Sequence, residues 1–263
     1  MLPIKKIYID SRFKSSDSVS DSDFKIDLPI SFLMPDDTGF YIDDVCIPHT
    51  WYPISERNNV IAFKFINTDY FAYVPPGEYS SQDLGVAIAT AMNTAYGVGN
   101  RFESTYDNST HKITIKLMAG FIKPFQIYTN TEFKAKNPSL VNRSMNLTLK
   151  NFVLKPYDNT DHVSGYIDIY PIRNIYMTAS GLGNFNTISI AGDRNIIKKI
   201  PVNAPHGNMI FDQTVTGMDY LDCSQQTLSR LGFQLRDVFG NILELNGNHI
   251  SFSIVFSRVQ DGT

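Results

Sequence analysis

Residues 227–256 read TLSRLGFQLRDVFGNILELNGNHISFSIVF. Leu231, Phe233 and Leu235 alternate with Gly232 and Gln234. That period of two sends every second side chain into a core and marks a strand. Ile250, Phe252, Ile254 and Phe256 alternate in the same way with Ser251, Ser253 and Val255. Between the two runs, Val238-Phe239-Gly240-Asn241 reads as a turn, and ILEL (242–245) follows as a short strand. Asn246-Gly247 is the strongest hairpin signal in the chain, because both residues accept the positive φ that a two-residue turn demands. Strands this short, punctuated this often, indicate a β-sandwich or barrel.

The composition carries the same reading across all 263 residues. There are 28 Ile against 16 Leu and 11 Ala, with 21 Asn, 14 Tyr and 18 Phe. β-Branched and aromatic side chains suit a pleated, half-buried surface, and Asn supplies turn chemistry. The formal net charge is −3 and 19% of residues are charged, so the chain lacks the basic excess of a dedicated nucleic-acid binder. No apolar run approaches the roughly 18–20 residues of a membrane span. The opening MLPIKKIYID has no long apolar stretch, so no secretory signal is expected there. Two cysteines, Cys46 and Cys223, are too few for a disulfide framework or a four-thiolate zinc site, and a reducing compartment fits them.

Working back from the C-terminal strands, IIKKIPV (196–202), NTISI (186–190), NIYMTA (174–179), GYIDIYPI (165–172) and LTLKNFVL (147–154) are further strand candidates. At the other end, residues 4–13 form an opening strand, and 15–23 (SSDSVSDSD) a flexible polar loop. Phe24, Ile26 and Leu28 alternate with Lys25 and Asp27, 35–39 is a turn, and 40–54 is a long apolar segment. The interval between differs in character. VIAFKF (60–65) and FAYV (71–74) read as paired strands. Four of the 11 Ala fall within 87–95, where Leu84, Ile88, Ala91, Met92 and Ala95 form a helical stripe. Ser80 is its expected N-cap and Gly97 its stop. RFESTYD (101–107), KITIKLM (112–118) and FIKPFQIY (121–128) complete a β-β-α-β-β-β module. The expected organisation is a mainly β sandwich made from residues 1–58 and 140–263. A small α+β subdomain with one helix, residues 59–139, is inserted where a loop would otherwise run.

Motifs for chemistry are sparse. His49, His111, His162, His206 and His249 show no metal-ligand spacing. Cys223 has nothing local to activate its thiol. Gly181-Leu182-Gly183 imitates half a dinucleotide fingerprint, but Asn186 stands where the third glycine belongs. Asp17, Asp21 and Asp23 could hold a cation only weakly, lacking the glycine and distal Glu of a calcium loop. Lys5, Lys6, Arg12 and Lys14 form one loose basic cluster, and Arg194, Lys198 and Lys199 another. Sequons at Asn108, Asn142 and Asn146 read as chance matches without a signal peptide. No catalytic, cofactor or metal site is expected.

Two blocks carry a resemblance. They are NIYMTASGLGNFNTISIAGDRNIIKKIPVNAPHGNMIF (174–211) and DYLDCSQQTLSRLGFQLRDVFGNILELNGNHISFSIVF (219–256). The residues that carry it are Gly183, Asn184, Phe185, Ile197, Pro201, Pro205 and Gly207 in the first block. In the second they are Leu231, Phe233, Leu235, Arg236, Asp237, Gly240, Leu245, Asn246, Gly247, Ser251 and Phe252. YIDSRF, DFKIDLP and YVPPGEYSSQDLGVAIATAMN add to it less specifically. Together they resemble the penton-type minor capsid proteins of Polinton/Maverick elements, adintoviruses and virophages. That resemblance implies a single jelly roll, a homopentamer at an icosahedral vertex, and contact with a double jelly-roll major capsid protein. It implies a structural protein of the virion rather than an enzyme, with no cofactor and no specific nucleic acid. The alternative is a β-sandwich binding module for a carbohydrate or host receptor, with Trp51 and some of the 14 Tyr lining a sugar site.

Overall fold

A computed structural model describes residues 5–121, 123–147, 161–170, 172–189, 192, 195–216 and 219–258. The chain divides into two compact units: residues 1–51 with 172–263, and residues 52–171.

The first unit opens with β1 (Lys5–Asp10), β2 (Asp23–Leu33) and β3 (Thr38–Pro48). The second contains β4 (Val60–Phe65), β5 (Thr68–Tyr73), α1 (Ser81–Tyr96), β6 (Phe102–Asp107), β7 (Lys112–Leu117), β8 (Phe125–Ile127), α2 (Asn130–Lys136) and β9 (Asp161–Val163). The first resumes with β10 (Asn174–Ser180), β11 (Ile196–Pro201), β12 (Met209–Asp212), β13 (Leu221–Asp222), β14 (Thr227–Arg236) and β15 (Ser251–Arg258).

In the first unit one sheet has the order β1-β15-β3-β12, with β13 also on β3, and the other β11-β10-β14-β2. Every pairing is antiparallel. The chain crosses repeatedly from one sheet to the other, so the eight long strands make a jelly roll. The expected fold class is the observed one.

Its core is built from the inward residues of both sheets. Ile9, Phe40, Ile42, Val45 and Ile47 come from one, and Phe24, Met177, Leu231, Phe233 and Leu235 from the other. The Phe233 ring stands edge-on to Phe252 at 4.9 Å and lies 5.6 Å from Phe24, so it knits β14 to both sheets. Burying a Phe of this kind contributes about 3 kcal/mol over leaving it exposed. The alternation of Ile250, Phe252, Ile254 and Phe256 holds, and all four are buried. Ser253 and Val255 are buried too, because β15 is flanked by β1 and β3.

Asn246 and Gly247 do adopt positive φ, 49° and 77°. The turn closes with Asn248 N–H donating to Leu245 O at 2.9 Å. It does not make a hairpin, however. β14 lies in one sheet and β15 in the other, so the turn sits on a crossover between layers. ILEL is correspondingly not a strand; only Ile242 bridges, to Arg236, while Leu243 and Leu245 drop into the core.

The second unit holds a sheet of order β5-β4-β8 and another of order β6-β7-β9, with α1 packed on them. Leu84, Ile88, Ala91 and Met92 on α1 are buried with Phe63, Phe102, Ile113, Ile115 and Phe125. Phe102 meets Phe63, Phe65 and Phe125 edge-on at 5.2–5.3 Å. The Ser80 side chain caps the helix by accepting from Asp83 N–H, and Gly97 ends it at φ 74°.

Several expectations need correction. The unit runs to 171 rather than 139, because β9 pairs with β7 and Ser144 bridges to Val60. It begins at 52 rather than 59, with Ile54 bridged to Gly77. It carries a second helix, α2. GYIDIYPI forms no strand among its described residues: Ile167 is buried and Ile169 partly so, and Ile167 N–H donates to His111 O at 3.1 Å, but no ladder extends from that bond among the described residues. NTISI likewise forms no strand among its described residues, and Ile188 is 73% exposed. Of LTLKNFVL, residues 148–154 lie outside the described residues.

Candidate functional site

The family-motif residues fall into two groups, turn-formers and core. They do not converge on one pocket. Gly183, Asn184 and Phe185 lie between β10 and β11 and dock on the segment after β13. Gly183 N–H donates to Gln226 Oε1, Asn184 N–H to Asp222 O at 2.7 Å, and Asn184 Nδ2 to Ser224 O at 2.7 Å. Gly183 has φ 84°, and a β-carbon there would overlap the Phe185 ring and press on the Asp222 carbonyl. Phe185 packs 5.6 Å from Phe40 at the rim of the core. Gly181-Leu182-Gly183 is therefore a close-approach turn, with Leu182 buried.

Pro201 ends β11 opposite Asn174. Pro205 to Asn208 is a turn, with Asn208 N–H donating to Pro205 O at 3.1 Å. Gly207, at φ 81°, donates its N–H to His49 O at 2.8 Å, and so starts β12 against the end of β3. Asp237 is buried and accepts from Phe239 N–H, Asn241 N–H and Asn241 Nδ2 at 2.8–2.9 Å. Arg236 Nη1 donates to Gly240 O at 2.6 Å, and Gly240 has φ 83°. This network holds Phe239, 70% exposed, at the tip of a rigid turn. Phe233, Leu235, Leu245 and Phe252 are core residues.

The residues weighed for chemistry are structurally occupied. Cys223 is buried, and burial, then the neighbouring Asp222 charge, push its thiol up to about 12, far from a nucleophile's range. Burial also raises the Cys46 thiol. His162 is buried with Nε2 2.7 Å from Phe125 O. His49 stacks on Trp51 at 4.3 Å, with Nδ1 2.7 Å from Ala204 O. His111 Nδ1 lies 2.7 Å from the Tyr106 hydroxyl. Trp51 is only 6% exposed and belongs to the core, so it is not part of a sugar-stacking surface. Among the described residues no group of three or more His, Cys, Asp or Glu is placed to hold a metal. No helix among them is long and apolar enough to cross a membrane.

Most described members of the charged clusters are paired. Asp17 meets Lys25 at 3.0 Å and also Arg230, and Asp21 meets Lys14 at 2.7 Å. Lys6 pairs with Asp43 at 2.5 Å and Arg12 with Asp10 at 2.6 Å. The loop 15–23 is thereby held rather than flexible, with Ser15 N–H donating to Lys25 O at 2.8 Å. Lys198 and Asp212, 10% and 5% exposed, approach to 3.4 Å and tie β11 to β12. Arg194 lies outside the described residues.

The exposed apolar side chains of the first unit include Tyr8, Phe13 and Val19, and two groups on its edge strands β2 and β12. Ile30 and Leu33 on β2 are 64% and 66% exposed, and Met209 and Phe211 on β12 are 40% and 61% exposed. Strand periodicity does not reveal these residues; the charge-free runs LPISFLMP (28–35) and GNMIF (207–211) do.

No protein-family model matches the chain, and no curated protein matches it. Among solved structures it is similar to the selenomethionine-labelled mavirus penton protein, with a TM-score of 0.51 and 13% sequence identity. The likeness covers 97% of this chain and 100% of that chain, so the two share their fold over the jelly roll and the inserted unit alike.

Proposed function

We propose that this chain is a penton-type structural capsid subunit that forms a homopentamer at the icosahedral vertex and bridges to a double jelly-roll major capsid protein. The observation that carries the reading is the end-to-end likeness to the mavirus penton protein, inserted unit included. The resemblance of residues 174–211 and 219–256 to Polinton/Maverick, adintovirus and virophage pentons agrees with it. A vertex subunit needs rigid sheets, pinned turns and apolar edges, and it needs no reactive constellation. It acts by assembly: apolar edges are buried between copies, and a separate face meets the major capsid protein. Its place is then the virion, and a glycan or receptor would be an additional partner for its outer loops.

Co-expression with a double jelly-roll major capsid protein tests this reading. Closed particles carrying this chain at their five-fold vertices are the expected product. Particles whose vertices form equally well without the chain would contradict it.

A further inference from the structure

β2 is the free edge of its sheet, and its two halves are treated differently. The chain itself closes the first half: Ser15 N–H donates to Lys25 O, and Val19 and Ser20 N–H both donate to Asp23 O at 3.0 Å. Among the described residues nothing pairs with the outer side of the second half. That half is also apolar, with no charge from Leu28 to Pro35 and with Ile30 and Leu33 mostly exposed. Sheet edges left open are ordinarily blunted with charge. An uncharged, exposed apolar strip has instead the composition of an interface core.

A second such strip lies on β12. Met209 and Phe211 share one face of this edge strand, within a charge-free run. The two strips sit on opposite lateral edges of the sandwich. β2 lies beside β1, where Lys5 Nζ rests 3.9 Å over the Phe32 ring. β12 lies beside β11, joined through Lys198 and Asp212. Two unlike strips on opposite sides of one subunit suit a heterologous contact, which closes into a ring by repetition.

Pairing of β2 with β2 of a second copy is disfavoured. Pro29 lacks the N–H that a ladder through this half requires, and the register with β14 shifts between Leu228 and Arg230. A bulged, proline-bearing edge packs by side chains rather than by strand addition.

We propose that Leu28–Leu33 of one subunit packs against Met209 and Phe211 of the next copy of this chain, making the repeating contact of the ring. The inference rests on the reading of the chain as a ring-forming subunit.

Its test uses two full-length variants, Ile30→Asp with Leu33→Asp, and Phe211→Asp, all at exposed positions. Circular dichroism and thermal melting check that each stays folded. Mass photometry across a concentration series should show each variant weakened in self-assembly by at least about thirtyfold relative to wild type. An equimolar mixture should form one-to-one heterodimers, because each pair then retains one intact contact. Wild-type rings that both variants also form would overturn this inference alone. A dimer abolished by the β2 variant but untouched by Phe211→Asp would overturn it in favour of a two-fold β2 contact. A monomeric wild type would overturn both the inference and the reading beneath it.

Discussion

Gly183 and Gly247 look alike in the sequence, yet their surroundings differ. Both have positive φ, 84° and 77°. A β-carbon at Gly183 collides with Phe185 and Asp222 O, whereas at Gly247 nothing lies within 4 Å. Gly247→Ala should therefore cost only the left-handed backbone term, about 1–2 kcal/mol. Gly183→Ala should cost clearly more, about 3 kcal/mol or above, because the turn must also move off the segment after β13. Urea denaturation of the two variants checks the order. Lys198 offers a second test. Removing it strips the buried Asp212 of this counter-charge while the Thr214 N–H still donates to it at 3.0 Å, and Lys198→Ala should lose about 3 kcal/mol. A loss under 1 kcal/mol in the same assay would mean that water reaches this pair. Neither effect is visible in the sequence. A motif glycine does not say what it approaches, and Lys198 reads there as one member of a loose basic cluster.

At the scale of elements, legibility follows how local the determining interactions are. α1 was readable to within a residue, because its stripe, its Ser80 cap and its Gly97 stop all lie within eighteen residues. Ser80→Ala should cost about 1 kcal/mol of stability, read as a lower melting temperature. α2 carries a full capping box, Thr129 with Glu132, whose T-x-x-E spacing is the local signal for this short helix. Strands were readable where alternation coincided with a partner, as at Leu231, Phe233 and Leu235. They failed at 165–170, where Ile167 and Ile169 alternate inward but the bond from Ile167 N–H to His111 O does not extend into a ladder among the described residues. The Asn246-Gly247 turn shows the same limit. Its backbone geometry is fixed locally, while the choice between hairpin and crossover depends on which sheet the next strand joins.

For the whole molecule, the two units are separate hydrophobic systems. Among the described residues, one core draws on positions before 52 and after 171, and the other two clusters on positions between. Residues 52–171 expressed alone should therefore keep a cooperative thermal transition and native-like circular dichroism; a broad, non-cooperative melt would show that the fragment depends on the rest of the chain. The sequence placed the insert but drew its end at 139, because the pairing that extends it joins β9 to β7 across about 50 residues. The low charged fraction, 19%, is sharpened by the structure as well. Among the uncharged runs, Leu28–Pro35 and Gly207–Phe211 carry exposed apolar side chains on opposite edges of the jelly roll.

The central claim is that copies of this chain close into a ring. Electron-microscope class averages of the purified wild-type chain at micromolar concentration test it most directly. The account predicts five-fold rings whose mass is five times the 29.7 kDa of one chain. Particles that stay monomeric, or that close with another symmetry, would contradict it.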